Sequence, residues 1–396
     1  MTTFHPSGVQ HALYPLTAPI KDYAWGSTTL LPELTGAPAS NTPQAEMWFG
    51  THPTTPTLLA DGTALAELVD LPYLVKLLAA AQPLSIQAHP TIEHAKAGFA
   101  AENAAGIELS DPRRTYRDAN HKPEMLVALS DFTAMTGFRD PDSAAGTFEQ
   151  IAQMVDNTEL TGVLTAMAEG LRAGELIEVF GQLVDPDGPF WQPDGFTAEI
   201  FAAVQRSGTD DKYLVNAHEA AVIHPNDPGA LVTLLMNLIT LAPGEALFIP
   251  SGTIHAYVAG LGLEVMATSD NVIRGGLTVK HVDVAELGKV VDFTPGAPPI
   301  ITPSVRTIDN VLVTRFTPPV EDFALTRYDL PAGSSLTVTA TNPRIAVGTS
   351  GTGTLTSGPD QAVVSPGSGI YIPGDVHSLD LSAPDDDVTI FLASRP

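Results

Sequence analysis

The chain has 396 residues, which at roughly 100–200 residues per domain predicts two to four domains. Hydrophobic residues make up 44% and charged residues only 16%, so a disordered chain is excluded. Asp and Glu outnumber Lys and Arg by 45 to 19, and the resulting charge of −26 makes nucleic acid and anionic membranes poor partners. The chain has no cysteine, so any metal must bind through His, carboxylate or amide groups.

The first residues, MTTFHPSGVQHALYPL, lack the basic start and the apolar run of a signal peptide. No stretch of 18 uninterrupted apolar residues is present, so a membrane-spanning helix is not predicted. We therefore expect a cytoplasmic protein with no membrane partner, and its high net charge favours a monomer.

The first half of the chain predicts a change from strands to helices. Residues 4 to about 59 indicate short strands and loops, followed by a helix at 64–69 and a strand at 73–78. Thr91 is a suitable N-cap for a helix that extends to about residue 106. Residues 142–218 carry Ala-rich helical patterns such as SAAGTFEQIAQMV and FTAEIFAAVQRS, which predict an inserted helical domain.

After Pro225 we expect strands again, in ALVTLLMNLITLAP, EALFIP and HAYVAG. Beyond about residue 298 the chain predicts strand–turn–strand units to its end, in TRYDLPAGSSLTVTA, RIAVGTSGTGTLTS and DVTIFLAS.

An internal repeat links these two β-rich parts. A Pro-Gly turn, a strand that ends in Ile-Pro and a following histidine occur at Pro243–His255 and again at Pro366–His377. This pattern is typical of a cupin-type jelly roll. We therefore predict a mainly β protein with an α-helical insertion, built from two cupin-type jelly-roll β-barrels plus a helical domain. The first barrel takes residues 1–141 and 219–297, the helical domain 142–218, and the C-terminal barrel 298–396.

Three segments carry the candidate metal ligands. Ser85, Gln87 and His89 alternate, so on a strand they share one face, which is either an outward surface or the wall of a solvated cavity. Glu124 follows His121 and Lys122 at the start of an apolar strand, where a carboxylate is costly unless it is paired or bound to a cation; a surface turn is the alternative.

The third segment contains His255, which follows an apolar strand and a glycine turn; a satisfied core histidine is the alternative interpretation. The stretch from Ser269 to Lys280 then concentrates Asp, Asn, Arg, Gly and Lys. Taken together, Gln87, His89, Glu124 and His255 form a cysteine-free set for a divalent ion, with zinc favoured and Mn, Co or Fe possible.

Four of the few cations accompany these segments, and they suit a small anionic, hydroxylated substrate. They are Lys76, Lys122, Arg274 and Lys280.

The segments YAWGS, AEMWFGTHP, PLSIQAHP, NHKPEM, PSGTIHAY and SDNVIRGGLTVKHVD occur in this order between residues 15 and 290. Together they resemble the type I mannose-6-phosphate isomerases, a family of the cupin superfamily. NHKPE and the long SDN segment are the specific parts of this resemblance, whereas the C-terminal barrel resembles the family only at the level of fold.

The resemblance implies an aldose–ketose isomerase that interconverts mannose 6-phosphate and fructose 6-phosphate through a cis-enediol. It also implies one Zn²⁺ per subunit on Gln87, His89, Glu124 and His255. The catalytic arginine is then Arg274, and the residues implied to line the sugar-phosphate pocket are Trp25, Lys76, Ser85, Lys122, Tyr257, Glu264 and Lys280.

Proton transfer between C1 and C2 requires a titratable group within reach of both carbons. Glu264, Asp270 and His121 are the candidates, and the sequence does not choose among them. Lys122 is a candidate to polarise the substrate oxygen at C1 or to assist ring opening.

Two other classes of protein share part of this pattern. Two histidines and a carboxylate also define the site of an iron-dependent cupin oxygenase, although the amide ligand and the surrounding cations disfavour it. A non-catalytic sugar-binding cupin is the second alternative, and it would not need a metal beside Lys, Glu and Arg.

Overall fold

A computed structural model describes residues 13–192 and 195–396. These residues form two compact units. We call residues 13–79, 262–268 and 301–396 the terminal unit, and residues 80–192, 195–261 and 269–300 the central unit.

The strands of the described residues are β1 (Tyr14–Thr17), β2 (Ile20–Lys21), β3 (Glu46–Gly50), β4 (Leu58–Leu59), β5 (Tyr73–Ala80), β6 (Ile86–Ala88), β7 (Glu124–Ala128), β8 (Phe132–Phe138), β9 (Met236–Leu241), β10 (Ala246–Ile249), β11 (His255–Ala267), β12 (Ile273–Gly276), β13 (Ile300–Ile301), β14 (Ser304–Ile308), β15 (Val311–Phe316), β16 (Ala324–Leu330), β17 (Ser334–Thr339), β18 (Arg344–Ser350), β19 (Gly353–Ser357), β20 (Asp360–Val364), β21 (Gly369–Ile372), β22 (Ser378–Ala383) and β23 (Val388–Ser394).

The α-helices of the same residues are α1 (Leu30–Thr35), α2 (Ile92–Ala104), α3 (Pro141–Met154), α4 (Thr158–Arg172), α5 (Leu176–Val184), α6 (Phe196–Ser207), α7 (Lys212–Ile223), α8 (Gly229–Val232) and α9 (Val284–Val290). The described chain is therefore a mixed, strand-rich structure, as predicted at that level.

The terminal unit contains two antiparallel sheets that enclose a common core. One sheet has the strand order β14-β15-β16-β23-β18-β21-β1-β4, and the other has the order β17-β22-β19-β20. The core contains alternate residues of both sheets, for example Val313 and Ile390 from the first and Leu355 and Leu381 from the second. This alternation is what a sheet with one buried face requires.

The central unit combines short strands with the helices α2 to α9. Helices α3 to α7 follow one another, and their inward faces join one apolar core with residues of the strands, such as Phe148 on α3, Leu164 on α4, Phe180 on α5 and Ile86 on β6. Thr91 accepts a hydrogen bond from the His94 N–H and so caps α2, as predicted.

Several predicted elements differ in detail from the structure. The expected helix at 64–69 is a single 3-10 turn at Leu65–Glu67, and helix α1 lies within a segment predicted to hold only strands and loops. Residues 230–235 were predicted as strand but are helical, and they are all buried. A short, continuously apolar segment has no periodicity that separates a buried helix from a buried strand. Residues 4–12 of the first predicted segment lie outside the described residues.

The two copies of the Pro-Gly repeat adopt the same local backbone. Gly244 and Gly367 both have positive φ angles, of 92° and 79°, which favour glycine. Each turn leads into a strand that ends at the isoleucine of the Ile-Pro pair, β10 or β21. The repeat therefore marks two similar turn–strand units, whereas the two residues His255 and His377 differ, since His255 is buried and His377 is exposed.

The two compact units do not follow the predicted domain boundaries at 141, 218 and 297, and that three-domain division stays a prediction. In the described part of the chain, no helix combines the length and the apolar character needed to cross a membrane.

Candidate metal centre

Neighbouring strands of the central unit bring three predicted site residues side by side. Gln87 on β6 lies opposite His255 on β11, and on its other side it lies opposite Arg274 on β12. The strand β6 is short, but Ile86 and Ala88 are fully buried in the core of the unit. Because side chains alternate along a strand, Gln87 projects to the opposite face, together with Ser85 and His89.

His89, Glu124 and His255 converge at one point of the central unit. The Nε2 atom of His89 lies 3.2 Å from Oε1 of Glu124, and Nε2 of His255 lies 3.3 Å from Oε2 of the same carboxylate. The ligand atoms of the three residues all lie within 4.8 Å of one another. All three residues are nearly inaccessible to solvent, with exposed fractions of 1%, 2% and 0%.

The hydrogen bonds of the two histidines fix where their protons lie. Nδ1 of His89 is 2.7 Å from the carbonyl oxygen of Asn271, and Nδ1 of His255 is 2.9 Å from that of Thr253. A carbonyl oxygen can only accept, so in each neutral ring Nδ1 carries the proton and Nε2 presents a lone pair.

These lone pairs face the carboxylate of Glu124, which is also an acceptor. Neither Nε2 atom, nor Oε2 of Glu124, has a hydrogen-bond partner. Buried acceptors that converge without a donor are costly, and a divalent cation would satisfy all of them. Two imidazoles and one carboxylate are ligands that zinc accepts, so the residues fit the predicted metal.

The protonation states in the centre also suit a metal. Burial lowers the pKa of His89 to about 4, so the ring is neutral at neutral pH. Burial alone would raise the pKa of Glu124, but the neighbouring His89 and the ammonium of Lys122 hold it well below its usual value. Nζ of Lys122 lies 3.2 Å from Oε1 of Glu124, and this lysine is also buried.

Sequence reasoning missed the residues that support the loop behind His89. The carboxylate of Asp118 accepts hydrogen bonds from the Ser269 hydroxyl at 2.9 Å and from the Asp270 N–H at 2.8 Å. The fully buried Asn271 donates to the carbonyl oxygen of Asn120 at 2.8 Å. Such contacts fix the carbonyl that orients His89. The polar density of the SDN segment was the available signal, but among its first three residues only Asp270 was selected, and Asp118 was not selected at all.

A third cation lies within electrostatic reach of Arg274 and Lys280. Burial lowers the pKa of Arg274, and the charge of Arg117 lowers it further. Burial, Arg274 and Arg117 also lower the pKa of Lys280. The central unit therefore groups Arg117, Arg274 and Lys280, and Arg117 was not among the predicted site residues, although it stands three residues before NHKPE.

Two of the predicted residues, Lys76 and Glu264, pair with each other in the terminal unit. Nζ of Lys76 lies 3.0 Å from Oε2 of the buried Glu264 and 3.5 Å from Oε1 of Glu46. The Glu46 carboxylate accepts a hydrogen bond from the Trp48 indole at 2.7 Å, and Nζ of Lys76 lies 5.1 Å from the centre of the same ring. Glu46 and Trp48 stand in the AEMWFGTHP segment, but the sequence analysis gave neither of them a role.

The remaining predicted residues differ in exposure. Tyr257 is buried and packs edge-on against Phe132, whereas Ser85, His121 and Asp270 are partly exposed in the central unit. In the terminal unit, Trp25 stacks on Tyr23 with a centre-to-centre distance of 5.7 Å.

Comparisons with known proteins show which proteins this chain is similar to. Residues 13–141 match the family model "Phosphomannose isomerase type I, catalytic domain". The chain is 35% identical to the mannose-6-phosphate isomerase of Escherichia coli K12, over 89% of this chain and 93% of that protein.

The chain belongs to the type I mannose-6-phosphate isomerase family.

More distant members of the family and a solved structure show the same similarity. The chain is 31% identical to mannose-6-phosphate isomerase 1 of Arabidopsis thaliana, over 91% of this chain and 89% of that protein. A crystal structure of mannose 6-phosphate isomerase from Salmonella typhimurium, bound to fructose 6-phosphate and zinc, superposes with a TM-score of 0.85 and 30% identity. That similarity covers 97% of this chain and 99% of the Salmonella chain. The resemblance drawn from the sequence motifs is thus confirmed, and membership of this family disfavours the oxygenase and the non-catalytic sugar-binding module.

Proposed function

We propose that this chain interconverts mannose 6-phosphate and fructose 6-phosphate by proton transfer between C1 and C2, with one zinc ion held by His89, Glu124, His255 and Gln87. The observation that carries the proposal is the convergence of two imidazole lone pairs and a carboxylate on one buried point, where neither Nε2 atom nor Oε2 of Glu124 has a hydrogen-bond partner. The solved Salmonella relative, which binds zinc and fructose 6-phosphate, supports the same assignment.

Zinc supplies Lewis acidity, which stabilises negative charge on the substrate oxygen when the neighbouring C–H loses its proton. Arg274 lies beside Gln87 in the strand register and is always protonated, so we assign it to the stabilisation of the enediolate. Lys122 contacts Glu124 directly, and we assign it to the polarisation of the oxygen at C1 or to assistance in ring opening.

Glu264, Asp270 and His121 stay candidates for the proton-transferring group. The substrate contacts predicted for Trp25, Lys76, Ser85, Tyr257 and Lys280 also stay predictions, as do the cytoplasmic location and the monomeric state. We further propose that the β-rich parts of the chain are two cupin-type jelly rolls, with residues 142–218 as the helical insertion and a C-terminal barrel that binds no metal. The similar backbone of the two Pro-Gly turns supports this proposal.

The test is turnover of mannose 6-phosphate by the zinc-loaded protein, together with measurement of the metal content, for wild type and the Glu124→Gln variant. The substitution keeps the size of the side chain but removes the charge that binds the metal, so metal and activity should be lost together. Glu108→Gln is the matched control, since Glu108 is exposed in the same unit. Full turnover by metal-free wild type would contradict the proposal.

A second variant separates catalysis from metal binding. Arg274→Ala should retain zinc and the fold while kcat falls by orders of magnitude, because the enediolate loses its cation. Arg113→Ala is the control, since Arg113 lies in the same unit and its side chain is 75% exposed. A change confined to KM would show that Arg274 only binds the substrate.

A further inference from the structure

The interior of the two-sheet structure in the terminal unit becomes polar towards one end. Along the buried face of the larger sheet, one row across the strands places Val313 beside Tyr328 and Tyr328 beside Ile390. The next row contains Arg315, Thr326 and Leu392 in register.

The last row of this face is more polar still. It contains Ala324, Ser394 and Arg344, which lie in register on β16, β23 and β18. From one row to the next, the side chains on this face thus change from apolar ones to arginine, threonine and serine. Packing does not explain this change, because these side chains add no apolar contact.

A cavity of about 260 Å³ lies at this end of the unit. Polar residues that line the cavity include Arg315, Thr326, Tyr328, Asn342, Arg344 and Ser394. The described residues that line it include three arginines, the third being Arg395, and no Asp or Glu side chain, and the last residue, Pro396, also lines it. In a chain with a charge of −26, this concentration of positive charge is unusual.

Arg344 is the residue that makes the cavity chemically specific. It is 2% exposed, and its Nη2 donates to the carbonyl oxygen of Val376. Its Nε and Nη1 have no hydrogen-bond partner. Burial lowers the pKa of Arg344, and the groups that oppose this effect are the hydroxyls of Tyr328 and Tyr73, not a carboxylate. A buried guanidinium without a counter-anion is costly, whereas its fork geometry matches two oxygens of a carboxylate or phosphate.

We propose that this cavity is a second ligand site, which binds a small oxyanion, a phosphate or carboxylate compound, on the guanidinium of Arg344. The hydroxyl groups of Thr326 and Ser394 and the side chain of Arg315 bind the rest of the ligand. The mouths of β-barrels are common ligand sites, and the volume is below the roughly 300–1,000 Å³ of pockets for drug-sized ligands, so the ligand is small. Every residue of this site belongs to the terminal unit, whereas His89, Glu124 and His255 belong to the central unit.

The test follows the methyl resonances of Ala324, Val338, Ala340 and Leu392, which line the cavity and report on it alone. Zinc-loaded, methyl-labelled protein is titrated with inorganic phosphate and, separately, with succinate, in a buffer that contains neither. We expect saturable shifts of these methyl groups with at least one of the two ions, and the stronger ion identifies the ligand class.

Variants then show whether Arg344 is the residue that binds. Arg344→Met should weaken binding by ~10-fold or more, because a charge-assisted bidentate contact is lost. Arg344→Lys should also weaken it, since an ammonium keeps the charge but not the fork. Arg327→Gln is the matched control and should leave the affinity unchanged, because Arg327 lies between Thr326 and Tyr328 in the sequence and on the opposite face of β16.

Two results would overturn the proposal. One is the absence of saturable shifts up to about 10 mM of either ion, which is weaker than any useful affinity. The other is equal binding by wild type and Arg344→Met. If Arg344→Met does not fold, Arg315→Gln replaces it, because Arg315 lines the same cavity and is exposed. Unchanged binding by that variant would then overturn the proposal.

Discussion

The side chain of Asn271 joins the SDN segment to the segment before NHKPE, and its removal tests how the metal centre is supported. Its Oδ1 accepts a hydrogen bond from the Arg117 N–H at 2.7 Å, and its Nδ2 donates to the carbonyl oxygens of Asn120 and Asp118 at 2.8 and 2.9 Å. The residue is fully buried. Asn271→Ala therefore removes hydrogen-bond partners from several half-buried polar groups.

The expected change in the free energy of unfolding follows from the groups that lose a short hydrogen bond. The half-buried Arg117 N–H and Asn120 carbonyl lose their short hydrogen bonds, and each such group costs about 1–3 kcal/mol where it finds no other partner. Water that enters the space offsets part of this cost. We expect a loss of about 3 kcal/mol in the free energy of unfolding.

The same substitution should weaken zinc binding although Asn271 is not a proposed ligand. The carbonyl oxygen that orients His89 belongs to Asn271 itself, and the segment that carries it loses its support. Loss of such support lowers metal affinity by about 10- to 100-fold.

Urea unfolding of zinc-free protein measures the stability, and competition with a chelator measures the metal affinity. Asn41→Ala, at an exposed loop position, is the control and should change neither. A stability change below about 1 kcal/mol would refute the estimate, because it would show that the buried groups find other partners. Unchanged zinc affinity in a destabilised variant would refute the role of this segment in orienting His89.

Two further predictions concern packing and pH. Gly98→Ala should destabilise the protein by about 1–3 kcal/mol in urea unfolding, because its Cβ would lie 2.2 Å from the Tyr116 ring. The control Gly162→Ala on α4 has open space around the new Cβ and should stabilise the protein by up to about 1 kcal/mol. The free energy of unfolding of the zinc-free protein should fall by about 3 kcal/mol between pH 6.5 and pH 4, because His89 takes up its proton in the unfolded chain at a higher pH than in the folded protein. The lowered pKa of Glu124 adds a further loss of stability at still lower pH. Urea midpoints against pH check this, and an equally steep dependence in His89→Gln would contradict it.

The sequence was sufficient to find the three side chains that converge in the candidate metal centre, because these residues break strong local patterns. His89, Glu124 and His255 stand at the ends of apolar strands, where a polar side chain requires an explanation, and the structure brings all three together. The helical pattern of residues 142–218 was long and periodic enough to predict α3 to α7, and Thr91 was a local signal that requires no tertiary contact.

The features that could not be predicted from the sequence depend on contacts between segments that are distant along the chain. Asp118 and Asn271 are polar residues in loops. Only the fold shows that the Asp118 carboxylate accepts hydrogen bonds from the Asp270 N–H and from the side chain of Asn271. Arg344 is the first residue of β18 and is followed by apolar residues, Ile345 to Val347. That its Nε and Nη1 lack partners follows only from the neighbouring strands of the folded protein. The helical turn at residues 230–235 was missed because tertiary burial, not local periodicity, decides its conformation.

The pairing of β1 with β21 has a consequence for biosynthesis. Tyr14 lies opposite Tyr371, so two parts of the terminal unit that pair directly are separated by most of the chain. The whole central unit has been synthesised by residue 300, whereas β21, the partner of β1, begins only at residue 369. The central unit can therefore begin to fold during translation, while β1 must wait with an unpaired edge until the last strands emerge. We therefore expect the completion of the terminal unit to be the slow, non-local step of folding.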